Sequence, residues 1–172
     1  VMMEFKYFQP QADIRTLVSS YYDVYVPGAL SDFMRAEIAN IRIILSGQVE
    51  TNFGGKAGRL SAGDAILCGP TFAASPISFS PGTRVLGMAI TPRGWAHMFD
   101  ESAADMADKS CPLDAVISEN SVEYLKLILE CDDDAARIRA VDIFMASLVQ
   151  TKPKIHSGFL DAVTEWLVDP DP

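Results

Sequence analysis

Ile41-Arg42-Ile43-Ile44-Leu45-Ser46-Gly47 opens the stretch that decides the fold. It runs on through Gly54-Gly55, Ala62-Gly63-Asp64-Ala65-Ile66-Leu67-Cys68-Gly69-Pro70 and Pro81-Gly82 to Pro92-Arg93-Gly94-Trp95. Short β-rich runs punctuated by Gly, Pro and Asp at intervals of roughly 8–12 residues predict an antiparallel barrel or sandwich. Within and around it, strands are expected at Arg35–Leu45, in a hairpin of Gln48–Phe53 and Arg59-Leu60 about the Gly54-Gly55 turn, and at Ala65–Cys68, Ile77–Phe79 and Arg84–Thr91. Upstream, Leu17–Val26 is rich in β-branched and aromatic residues and is stopped by Pro27-Gly28. Residues 1–16 read as an irregular lead-in, with one helical turn at Ala12–Leu17.

Downstream of Thr91-Pro92 the pattern becomes helical. Thr is a good N-cap and Pro suits the first helical position, so a helix should open over Trp95–Asp100. Val122, Leu125, Ile128 and Leu129 fall on one face of a second helix, capped by Asn120 or Ser121. A third spans about Asp134–Val149, ended by Lys152-Pro153, and a last one Ser157–Val168. Strands first and helices after define an α+β chain.

At 172 residues the length suits one domain with a real core. No apolar run approaches the ~20 residues of a membrane-spanning helix, and the N-terminus lacks a basic-then-apolar signal pattern. A cytoplasmic protein with no membrane partner is expected. Cys68, Cys111 and Cys131 are odd in number and widely spaced, which predicts reduced thiols and no disulfide framework. Residues 1–100 hold eight basic and eight acidic side chains, and residues 101–172 hold six against fifteen, so the whole net charge of −9 lies in the C-terminal part. A segment this acidic is a poor surface for phosphates.

The order of turns, from Ser46-Gly47 through Gly54-Gly55, Gly63-Asp64 and Gly69-Pro70 to Pro81-Gly82, resembles one half of a cupin barrel. More narrowly, it resembles the sensor domain of arabinose-regulator-type (AraC family) transcription factors. That resemblance implies a cupin-like effector-binding barrel over 1–116, a helical dimerisation and linker region over 117–155, and the start of a truncated helix-turn-helix domain over 156–172. It implies a non-catalytic, homodimeric regulator that reaches promoter DNA only through a helix-turn-helix domain beyond Asp169-Pro170-Asp171-Pro172. The alternative is a small metal-free cupin enzyme or a free-standing small-molecule-binding protein.

Metal cupins need a His-x-His, a Glu and a later His on facing strands. Here His97 follows the barrel and His156 lies near the C-terminus, so no metal and no cofactor is expected. No catalytic residue stands out: Ser46-Gly47 is a turn and not a nucleophile elbow, and Cys68 reads as a buried thiol. The candidate ligand-binding residues are Tyr22, Tyr25, Arg42, Met88 and Trp95. Arg42 interrupts an apolar run. If Ile41, Ile43 and Leu45 face the interior, Arg42 is the wet side of a half-buried strand. If it points inward it needs an anion, from a carboxylate effector or from Asp23 or Glu50. Tyr21 and Tyr25 share one strand face and Tyr22 the other, as pocket lining or as core. The candidate dimerisation residues are Leu125, Ile128, Leu129, Ile138, Val141, Phe144 and Met145, which exceed the apolar surface expected of a short terminal bundle.

Overall fold

The computed structural model describes residues 2–150 and, beyond them, Ala162, Val163 and Glu165, which are helical. Among the described residues, ten strands form two antiparallel sheets. The first holds, in spatial order, β1 (Glu4–Phe8), β2 (Val18–Val26), β9 (Thr83–Ile90), β4 (Asn40–Ser46), β7 (Ala65–Cys68) and β10 (Ser110–Pro112). The second holds β3 (Leu30–Met34), β8 (Ser75–Phe79), β5 (Gln48–Phe53) and β6 (Lys56–Ser61). The expected cupin-like antiparallel architecture followed by helices is present, as an open sandwich and not a closed barrel. The β5–β6 hairpin closes on Gly54 and Gly55, both at positive φ, as a two-residue turn that follows the strand twist requires.

Up to residue 150, three helices follow: α1 (Pro92–Met98), α2 (Glu119–Glu130) and α3 (Asp134–Leu148). Thr91 caps α1 as expected, its Oγ1 accepting from Gly94 N at 3.0 Å. The α2 cap is Ser118, which accepts from Ser121 N at 3.2 Å, so neither Asn120 nor Ser121 fills that role. Asp133 caps α3 through Ala136 N at 2.8 Å. The expected Ser157–Val168 helix and the Lys152-Pro153 stop lie outside the described residues, apart from the three named above.

The main core lies between the outer face of the six-stranded sheet and the helices. Ile41, Ile43, Leu86 and Met88 supply the sheet side, and Ile128, Val141, Phe144 and Met145 the helical side. Most of the residues expected at a dimer contact therefore lie inside the chain, while the helices leave Leu127, Leu129 and Ile143 exposed. Ile128, Val141, Phe144 and Met145 are fully buried within the chain, Leu125 nearly so, and Ile138 packs against the same core. Of the seven expected dimerisation residues only Leu129 is exposed, at 36%. Polar contacts fix the helices to the sheet as well. Asp134 accepts from Lys6 Nζ at 2.8 Å and from Arg84 Nη2 at 2.7 Å, and Arg84 also clamps Asp23. The buried Tyr21 hydroxyl donates to Asp142 at 2.8 Å.

Two strand expectations need correction. The lead-in contains a real strand, β1, paired along its length with β2. The span Arg35–Leu45 is not one strand: β3 ends at Met34, residues 35–39 are irregular, and β4 begins at Asn40. The break lets the chain pass from the smaller sheet to the larger one, and it places Glu37 at the end of the space between them.

Candidate ligand cavity between the sheets

A cavity of about 290 Å³ separates the two sheets. Its walls are apolar: Val24, Ile44 and Val85 come from the six-stranded sheet, and Val49, Ile77 and Phe79 from the other. Phe53, Leu60 and Ile66 continue the lining. The mouth lies along the sheet edges formed by β1 and β3, where Phe5, Tyr7 and Phe33 are 49%, 69% and 67% exposed. Phe5 and Tyr7 stack at 6.2 Å with an interplanar angle of 10°.

Asp32 and Thr51 also line the cavity, and one connected polar cluster, built by strand register, interrupts the apolar walls. Tyr22 on β2 and Arg42 on β4 both stand directly opposite Gly87, which lies on β9 between them. A β-carbon at position 87 would fall against Cζ, Cε2 and the hydroxyl of Tyr22, closer than non-bonded atoms can stand. The missing side chain therefore lets the tyrosine ring lie across β9 and meet Arg42. Arg42 Nε donates to the Tyr22 hydroxyl at 3.2 Å, and that hydroxyl donates to Asn40 Oδ1 at 3.0 Å. Arg42 Nη1 reaches Cys68 Sγ at 3.4 Å, and Nη2 pairs with Glu37 Oε1.

Arg42 thus points inward, with only 11% of its side chain exposed, and needs the anion that an inward cation requires. That anion is Glu37. Neither expected partner serves: Asp23 pairs with Arg84 and Glu50 with Arg59. Burial pushes the Tyr22 phenol up, with the Arg42 cation opposing, so it is a neutral donor at physiological pH. Burial likewise pushes the Cys68 thiol up against the pull of Arg42, which keeps it protonated and a poor nucleophile. The cluster offers recognition chemistry: a cation, a neutral hydroxyl and apolar walls.

Of the five candidate ligand-binding residues, the structure brings together Tyr22 and Arg42 alone. Tyr25 lies on the opposite face of β2, 38% exposed. Met88 faces the helices and is fully buried there. Trp95 packs in α1 against Phe99 at 5.0 Å and donates to Glu101 O at 2.7 Å. Sequence reading missed Glu37, Asn40 and Gly87. The glycine did carry a signal, because a lone Gly inside an apolar strand marks a close approach. Among the described residues, the donors at the cavity do not fit a metal centre. Glu37 is engaged by Arg42, His97 sits on α1 and not in the cavity lining, and His156 is outside the described residues. Among the described residues no helix is long and apolar enough to cross a membrane.

No family model and no curated protein sequence matches the chain. Among solved structures, a predicted oxalate decarboxylase from Thermotoga maritima is similar at 17% identity over 51% of this chain and 79% of that one, with a TM-score of 0.42. The cupin domain of an XRE family transcriptional regulator from Enterobacter cloacae is similar at 13% identity over 52% of this chain and 97% of that one, TM-score 0.40. KdgF from Halomonas sp. is similar at 17% identity over 51% and 77%, TM-score 0.40. Each likeness spans about half of this chain, and none of them assigns it an activity.

Proposed function

We propose that this chain is the effector-sensing part of an AraC-type transcriptional regulator. It binds a small molecule between its sheets and acts on promoter DNA through a separate helix-turn-helix domain. The single observation that carries the binding half is the apolar cavity with one polar cluster, Tyr22–Arg42–Glu37, at its end. Ligand sites combine apolar walls with a few placed polar groups in this way. The regulatory half rests on the order of turns and on the acidic helices, which suit a sensor whose basic reader lies elsewhere. A cytoplasmic location and a homodimer belong to the same proposal, and the dimer contact must use a surface other than the buried faces of α2 and α3. In mechanism, the effector binds one of two arrangements more tightly and so shifts how two DNA readers are held.

The test pairs two measurements. A gel mobility shift at low salt should show no promoter binding by residues 1–172, and effector-dependent binding by the complete gene product. A complete gene product without a helix-turn-helix, or sequence-specific DNA binding by these residues alone, overturns the regulatory reading.

A further inference from the structure

Resting on that reading of the cavity, we propose that its ligand is a small apolar monocarboxylate, and that Glu37 is the chain's own substitute for the ligand's carboxylate on Arg42. A guanidinium this buried needs a counter-anion at all times, since breaking a buried pair by removing one partner costs several kcal/mol. Glu37 meets the need in a way that is easily reversed. It contacts Arg42 through one oxygen on one nitrogen, so the two-pronged match that Arg offers a carboxylate goes unused. Its side chain is 28% exposed, against 11% for Arg42, so it has a route to water.

The backbone of Glu37 is held without help from that side chain. Glu37 N donates to Thr71 Oγ1 at 2.9 Å, and Thr71 N donates to Glu37 O at 3.0 Å. The carboxylate can therefore swing away while the chain stays in place. An incoming carboxylate would take its position on Arg42, and the guanidinium would keep one counter-anion before and after. A cationic ligand could not replace Glu37 on Arg42 and would bring a second positive charge beside it. A neutral one would leave Glu37 in possession and gain only the walls.

The rest of the cavity sets the ligand's other end. Beyond the cluster the lining is overwhelmingly aliphatic and aromatic, and the aromatic mouth of Phe5, Tyr7 and Phe33 extends it toward solvent. About 290 Å³ is near the lower end of the ~300–1,000 Å³ range of ligand pockets, which suits a short chain or a single ring.

Calorimetric titration with octanoate, 1-octanol and octylamine, each below its aggregation threshold, tests this. Octanoate should saturate one site, 1-octanol should bind at least roughly tenfold more weakly, and octylamine should not saturate. Glu37→Gln removes the competing carboxylate while keeping its shape. It should tighten octanoate about tenfold and leave 1-octanol unchanged. Arg42→Met should abolish the preference for octanoate while keeping 1-octanol. Should Arg42→Met fail to fold by circular dichroism, the Glu37→Gln ratio decides alone. Equal binding of octanoate and 1-octanol, or no gain in octanoate affinity in Glu37→Gln, overturns the carboxylate assignment and leaves the cavity a ligand site. If none of the three probes binds, the ligand-site reading falls with it.

Discussion

Gly87→Ala is the smallest change that attacks the cavity, and its effect can be worked from the structure. The backbone of Gly87 is not among those at positive φ, so alanine is allowed there. By loss of unfolded-state entropy alone, the substitution should stabilise the fold by about 0.4–1 kcal/mol. The added methyl group, however, lands on the Tyr22 ring. Overpacking of this kind costs about 1–3 kcal/mol. Displacing the ring also strains two hydrogen bonds, to Arg42 and Asn40, each worth about 0.5–1.5 kcal/mol net, or more where a charge takes part. The terms combine to a net loss of roughly 2–4 kcal/mol. Urea denaturation reads this as a lower midpoint with an unchanged slope. A double-mutant cycle with Tyr22→Ala isolates the cause: with the ring removed, Gly87→Ala should become neutral or stabilising. The change of sign is the prediction. Equal destabilisation by Gly87→Ala in both backgrounds would refute the reasoning, because the clash would then lie elsewhere.

Further outcomes follow from other contacts. Lys6 and then Arg84 hold the Asp134 carboxyl down at about 2 in the folded chain, against about 3.9 unfolded. Its contribution is therefore present above pH ~4 and lost as pH falls through about 2. At 35% side-chain exposure it amounts to about 1 kcal/mol or less; in acid titrations of stability, Asp134→Asn should flatten that window, and an unchanged profile would count against the clamp. Phe144→Ala should cost about 3–5 kcal/mol, equally over a roughly hundredfold range of protein concentration. A cost that grows on dilution would mean that Phe144 serves an interface between copies. Finally, of the three thiols Cys68 should react with a disulfide reagent last, at the rate of unfolding, because it is buried and protonated; early labelling of Cys68 in the native chain would contradict this.

How much of this was legible in the sequence depended on whether a local rule or a long-range one governed the element. The Gly54-Gly55 hairpin, the Thr91 cap and the change from strands to helices follow from turn chemistry and periodicity, and the structure has all three. Strand β1 was missed because its only core-facing support comes from pairing with β2, and four of its five residues are exposed. From the sequence the irregular span 35–39 reads as strand, because Ile38 is apolar. In the structure Ile38 is 43% exposed, and the chain there is crossing between sheets.

Arg42 shows where local reading stops. The alternation of Ile41, Arg42, Ile43 and Ile44 fixes which residues share a face, and that part holds. Which face is dry cannot be taken from alternation when both sides of a strand are covered. β4 is an interior strand with α1–α3 behind its Ile41 and Ile43 face and the second sheet before its Arg42 and Ile44 face. The rule that one side of an antiparallel sheet faces water fails for this strand, so an interrupting Arg becomes a buried cation and not a solvated one. That displacement has two sequence-level consequences: a buried Arg demands a carboxylate, and lying flat beside a Tyr on the same face demands a small residue between them. Glu37 and Gly87 meet those demands from segments five residues before and forty-five residues after Arg42. Neither residue carries the inference by itself, since an exposed Glu or a strand Gly is ordinary. Only the register, with Tyr22, Gly87 and Arg42 abreast on three adjacent strands, turns them into one site.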